Sequence, residues 1–174
     1  MILLKSVLHM KSLTHKVQGK KRLREEMPFL LGAPPPASSP VVSRIMQTVK
    51  TKDTTPELLV RKHLWATGIR GYRKSPKNIP GRPDICFVGR KIAIFINGCF
   101  WHRCPHCSLP LPKSNTDFWK RKFERNILRD QLKTTRLQES GWTVMTIWEC
   151  EIKRDIASCV ERIREIILSK DPQR

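Results

Sequence analysis

Pro80-Gly-Arg-Pro-Asp84-Ile-Cys-Phe-Val88-Gly-Arg-Lys91-Ile92-Ala-Ile-Phe-Ile96-Asn-Gly-Cys-Phe-Trp-His102 is the stretch on which the fold turns. Its two apolar runs, residues 85–88 and 92–96, read as strands. Gly89-Arg90-Lys91 leaves room only for a tight turn, so the pair is a hairpin. Pro80, Gly81 and Pro83 fix the direction in which Asp84 meets the first strand. A carboxylate held this way can bind Mg2+, which takes oxygen ligands and keeps waters. An aspartate that merely closes a turn explains the same residue.

Outward from the hairpin, Thr55-Pro56-Glu57 reads as a helix start, with Thr as N-cap, Pro in the first turn and an acid at the positive end of the dipole. Leu58, Leu59, Leu64 and Trp65 are assigned to one face of that helix, and Gly68 to its stop. Residues 99–115 look irregular. A long helix is expected over 116–139, with Trp119, Phe123 and Ile127 at every fourth position and Gly141 at its end. Residues 142–148 read as a strand, and 151–169 as a final helix carrying Ile152, Ile156, Val160, Ile163 and Ile167. The fold class expected is α/β, a central mixed sheet flanked by helices. The domain is expected over 42–174. Residues 1–41 read as a basic, Pro/Ser-rich leader, either a disordered DNA-binding arm or the product of an early start codon, with Met27 or Met46 nearer the true beginning.

A chain of 174 residues suits one domain. Its 34 Lys and Arg against 15 Asp and Glu give a net charge of +19. The first 40 residues account for +5, leaving +14 on the rest. Such a chain is drawn to polyanions, and nucleic acid is the obvious partner. Charge alone does not separate an enzyme from a ribosomal protein. No apolar run is long enough for a membrane helix, so no membrane partner is expected. The apolar start is cut short by Lys5, which is not a secretory signal. A reducing cytoplasm is therefore the expected location, in a prokaryote at the nucleoid.

In that compartment the six cysteines suggest metal rather than disulfides. Cys99, Cys104 and Cys107 fall in one short loop, and Cys150 follows the last strand. Four thiolates can make a tetrahedral Zn2+ site that fixes a loop too polar to fix itself. His106 and His102 are substitutes for one cysteine. Cys86 and Cys159, each beside apolar neighbours, read as core residues. Cys104-Pro105-His106-Cys107 also matches a redox C-x-x-C pair, which needs a helix starting at its first cysteine. Pro110 and Pro112 oppose that helix. A zinc deaminase would need His-x-Glu ahead of Pro-Cys-x-x-Cys, and neither element is present.

Asp130 lies three residues after Ile127 and seven after Phe123, on the inward face of the long helix, where a charge needs a partner. An Arg or Lys would make the pair structural, and a histidine or water-bound metal would make it functional. His102 can exchange a proton at a phosphodiester. Phe100, Trp101 and Trp119 either pack beneath the cysteine loop or stack on bases.

Taken together, Pro80-Gly-Arg-Pro-Asp84, Phe95-Ile-Asn-Gly-Cys-Phe-Trp-His102, Phe118-Trp119, Glu124-Arg-Asn126, Arg129-Asp130, Gly141-Trp142 and Trp148-Glu-Cys150 closely resemble the very short patch repair (Vsr) endonucleases. Thr54, Thr55 and Glu57 fit the start of that family, and the resemblance covers about residues 42–155. It implies a restriction-endonuclease-like fold and a monomer. It implies an Mg2+-dependent nick on the 5′ side of the T in a T·G mismatch left by deamination of 5-methylcytosine. The implied partners are mismatched double-stranded DNA and mismatch-repair proteins. By motif position, Asp84 and the backbone carbonyl of Ile96 would bind Mg2+, and Glu57 would join them. His102 would be the general acid or base, positioned by Asp130. Phe100, Trp101 and Trp119 would be the wedge into the mismatch, and Cys99, Cys104, Cys107 and Cys150 would hold Zn2+. Two positions depart from the family pattern: Asn97 stands where some members have a second histidine, and Cys104 with Pro105-His106 replaces a His-rich zinc loop. Ordinary restriction-type nucleases carry an acid-x-Lys pair on the strand after the first Asp, and Ile94-Phe-Ile-Asn97 has neither. A zinc-stabilised, non-catalytic DNA-binding module and a sequence-specific restriction nuclease are the alternative readings.

Overall fold

The computed structural model describes residues 35–170, so the expectations for residues 1–34 and 171–174 lie outside it. Helix α1 (Pro40–Thr48) and helix α2 (Thr55–Ala66) precede strands β1 (Ile85–Phe87) and β2 (Ile92–Asn97). Helix α3 (Thr116–Glu139) leads to β3 (Thr143–Trp148), and α4 (Glu149–Arg154) and α5 (Ile156–Ser169) follow. The sheet order is β1-β2-β3. The hairpin pairs antiparallel with Ile85 opposite Ile94, and β3 pairs parallel to β2 with Ile147 opposite Ile96. The sheet is therefore mixed, and α3 is the crossover that a parallel pair requires.

All six residues of β2 are buried, which explains a sequence without polar alternation. The period of two splits its side chains between two cores. Ile92, Ile94 and Ile96 join Val60, Leu64, Ile147 and Ile163 on one face. Ala93 and Phe95 join Cys86, Ile79 and Leu137 on the other. Thus α2 and α5 cover one side of the sheet and the end of α3 the other. Cys86 and Cys159 are core residues, as expected.

Several local expectations change. In α2 the N-cap is Thr54, one residue earlier than expected, and the buried face is Glu57, Val60, Arg61 and Leu64. Leu58, Leu59 and Trp65 are exposed, and the Arg70 guanidinium covers the Trp65 ring at 3.6 Å. The helical period, not the count of apolar residues, selects the face. Ile127 is likewise exposed, and Asn126 is buried in its place. Helix α1 begins at Pro40 with Ser39 as N-cap, whose side chain accepts from the Val42 N–H at 3.2 Å. The single final helix is two: Asp155 is extended, ends α4, and caps α5 by accepting from the Ser158 N–H at 3.0 Å. An aspartate offers the backbone a cap that competes with continued helix.

Candidate active site

A cleft of roughly 1180 Å3 opens at the C-terminal end of β2 and is lined, among others, by Glu57, Asp84, Ile96, Asn97, Trp101 and His102. Asp84 reaches it from the Pro80–Asp84 turn, where Pro83 is fully buried. Its Oδ2 accepts from the Ile96 N–H at 2.7 Å, which ties the carboxylate to the strand. Burial raises its pKa to about 6, and the nearby charge of Glu57 adds to that rise. The Ile96 hydrogen bond and the charges of Lys133 and His102 pull the other way. Asp84 is thus a half-buried carboxyl whose desolvation outweighs the hydrogen bond and the positive charge that favour its ionised form.

Glu57 is the helix-start acid the sequence indicated, and it also lines the cleft. It accepts from the Thr54 hydroxyl at 2.8 Å and the Asp53 N–H at 3.1 Å, so it closes the first turn of α2. Arg61 pairs with it at 3.4 Å and also with Asp53. That network holds Glu57 buried at the cleft wall, within electrostatic reach of Asp84.

His102 and Asp130 meet directly, Nδ1 against Oδ2. The other carboxylate oxygen, Oδ1, lies 2.8 Å from Lys133 Nζ. Both partners considered for Asp130 are present, a histidine on one oxygen and a lysine on the other. Burial would raise the Asp130 pKa, but the hydrogen bonds from His102 and Lys133 prevail and lower it. With Nδ1 committed to a carboxylate, Nε2 is the imidazole nitrogen free of that contact. One turn earlier on α3, the buried Asn126 amide donates to the Trp101 carbonyl at 2.8 Å and anchors the loop carrying the histidine.

Phe100 packs edge-on against Trp101, Trp119 and Phe123, with centroids 5.1, 5.5 and 5.2 Å away. Phe100, Trp101 and Trp119 line the cleft and are only half-buried, so they pack together and still present ring surface. The Lys122 ammonium sits 5.0 Å from the Trp119 ring and 5.2 Å from Trp101. Its pKa is lowered first by burial and then by the Arg125 charge, which marks a crowded cationic wall suited to a polyanion.

On the far side of the same loop the sulfurs of Cys99, Cys104, Cys107 and Cys150 all lie within 4.8 Å of one another. Cys104 and Cys150 are 3.6 Å apart, close to the spacing of about 3.8 Å that tetrahedral Zn–S bonds impose. All four are free thiols, so the cluster is no disulfide pair. The donor set is consistent with a zinc site. The His106 imidazole is not part of it; instead the His106 backbone N–H serves Cys104. Cys150 is carried on α4, which Glu151 pins by accepting from the Trp148 N–H at 2.7 Å and pairing with Arg162 at 2.6 Å.

Residues 40–109 match the family described as DNA mismatch endonuclease Vsr. The chain is 42% identical over 125 residues to a type II nicking enzyme, V.NmeAIP, of Neisseria meningitidis, covering 72% of this chain and 88% of that one. It is 42% identical over 123 residues to the type II nicking enzyme V.XorIIP of Xanthomonas oryzae, covering 71% and 89%. To the DNA mismatch endonuclease Vsr of Escherichia coli it is 38% identical over 112 residues, covering 64% and 70%. The chain belongs to the Vsr family of DNA mismatch endonucleases. It is accordingly a DNA-nicking endonuclease, and the non-catalytic reading is set aside.

Three contributors to this Vsr-family site escaped the sequence reading. Asn126 and Lys133 flank Asp130 at four and three residues, the spacing of one helix face, and that spacing was the available signal. Arg61 sits one turn after Glu57 by the same rule. Asn97 is buried at the end of β2 and lines the cleft. Among the described residues, no helix is long and apolar enough to cross a membrane.

Proposed function

We propose that this enzyme nicks DNA on the 5′ side of the T in T·G mismatches produced by deamination of 5-methylcytosine, and so initiates very short patch repair on a restriction-endonuclease-like fold. The observation that carries the reading is the convergence of Asp84, Glu57 and the His102–Asp130 pair in one cleft walled by half-exposed rings and cations. Resemblance to both a mismatch endonuclease and type II nicking enzymes supports strand-specific cleavage.

The oxygen donors fit Mg2+. A half-buried carboxyl raised to about 6 beside a second acid is a site whose ionisation a divalent cation would favour. Asp84 would hold the ion with the Ile96 carbonyl, and Glu57 would add its charge. When bound, Mg2+ supplies Lewis acidity toward a phosphate oxygen and a more acidic water. His102 then gives or takes the proton through the ring nitrogen that Asp130 leaves free, and Asp130 holds the tautomer and steadies the charged ring. Phe100, Trp101 and Trp119 insert at the weakened mismatch, where unstacking costs least. Zn2+ on the four cysteines would fix the loop that presents His102, Phe100 and Trp101. The enzyme works as a monomer in the cytoplasm, with mismatch-repair proteins as partners.

Initial nicking rates on T·G, U·G and fully paired duplexes across varied flanking bases test the proposal. The expected result is Mg2+-dependent nicking of the T·G strand only. Efficient cutting of fully paired duplex would replace this reading with that of a sequence-specific restriction nuclease.

A further inference from the structure

Strand β2 carries neither the acid nor the lysine that ordinary restriction-type nucleases place after the first aspartate. A lysine nonetheless stands in the cleft, delivered by a helix. Lys133 lies on α3, one turn beyond Asp130, and lines the cleft with Asp84 and His102. Its side chain is only 17% exposed. Its Nζ is 2.8 Å from Asp130 Oδ1 and 4.2 Å from the centroid of the Phe95 ring. Its charge also acts on Asp84.

The stem is as confined as the head. Gly81 has φ +71°, and a Cβ built there would stand 2.8 Å from Lys133 Cβ. The turn that aims Asp84 therefore rests directly on the lysine stem, and only glycine permits that approach. An ordinary pair three residues apart on a helix forms in water without any of this. Here the turn bearing Asp84, the strand bearing Ile96 and the helix bearing Asp130 close around one ammonium. A largely buried cation is costly unless a carboxylate matches it, and Asp130 supplies that match.

We propose that Lys133 is the resident cation of the nicking centre, a positioning residue that clamps Asp130 behind His102. The inference rests on the nicking reading above. By occupying Oδ1, Lys133 leaves Asp130 Oδ2 for His102 and stops the carboxylate from rotating away. The vacancy on β2 is thus filled from across the cleft.

Lys133→Met keeps the length of the stem and its packing but removes the charge, and Lys133→Arg keeps the charge. Each would be assayed for nicking of a T·G duplex, for Mn2+ binding without DNA by electron paramagnetic resonance, and for thermal unfolding. In the Met variant kcat should fall about 10- to 100-fold while KM for DNA stays within about twofold. Mn2+ should bind several-fold more tightly, since a competing cation has gone. The Arg variant should recover part of kcat and the wild-type Mn2+ affinity. A Met variant with wild-type kcat, or one with unchanged Mn2+ affinity, would overturn the inference, as would an Arg variant no better than Met. If Lys133→Met does not fold, Lys133→Gln is held to the same outcomes. Should the wild-type enzyme nick no mismatch at all, the function proposal fails, while the Mn2+ arm still judges the lysine.

Discussion

The cysteine cluster and the carboxylate centre share one loop but are assembled on opposite rules. The cluster gathers four like ligands with sulfurs no more than 4.8 Å apart, from residues 99–107 and the start of α4. The centre gathers unlike groups from a turn, a loop and two helices: Asp84 and Glu57 against His102 and Lys133, with Asp130 between. One added ion can complete the first. The second is held by mutual compensation, so removing a member leaves another buried charge unmatched.

The sharpest way to break this contrast is to remove the acid that the Pro80–Asp84 turn presents. Asp84→Ala should lower the nicking rate by at least about 1000-fold while leaving mismatch binding nearly intact. Product formation and gel-shift titration in Mg2+ measure the two separately, and sustained nicking would dissolve the centre as drawn. The opposite pole is probed by Cys107→Ser. That variant should lose zinc and several kcal/mol of stability, on the order expected for a structural site. Metal analysis with thermal unfolding decides it, and full stability without zinc would make the cluster incidental.

Smaller effects sharpen the picture. Trp119→Ala should weaken binding to a T·G duplex by about 1–3 kcal/mol, the cost of one lost stacking platform, with little change on paired DNA. Equal losses on both duplexes would reduce the ring to packing. Last, Asp84→Asn should stabilise the metal-free protein. The folded carboxyl sits near 6 against an ordinary 3.8, so its favourable protonation is complete below the lower value and lost as pH rises through the higher. Asparagine can still accept from the Ile96 N–H and escapes that loss. The gain should be about 1–3 kcal/mol at pH 8 and absent near pH 4. A denaturation series across that range would detect the reverse sign at once.

Much of this was legible in the chain. The hairpin follows from two apolar runs and a three-residue turn, and α3 spans the expected 116–139 because its period and stop signals agree. The cysteine cluster was readable from spacing, since one loop and one strand end suffice to build it. The buried face of α2 was not legible, because it includes Glu57 and Arg61, polar residues buried only by virtue of their pairing. The break at Asp155 was hidden because Ile152 and Ile156 keep helical spacing across it. Lys133 was invisible for a different reason: its place depends on Gly81, 52 positions earlier in sequence, and no local pattern reports such an approach.

Only two residues separate Cys99 from His102, and the turn between them is tied by the His102 N–H on the Gly98 carbonyl at 3.2 Å. The imidazole thus hangs on a short leash whose anchor is a sulfur. If zinc occupies the thiols, its removal should slacken that leash before it disturbs the isoleucines of the sheet. Chelation should silence the enzyme while its β-structure stands, so that it fails first as a catalyst and only later as a fold.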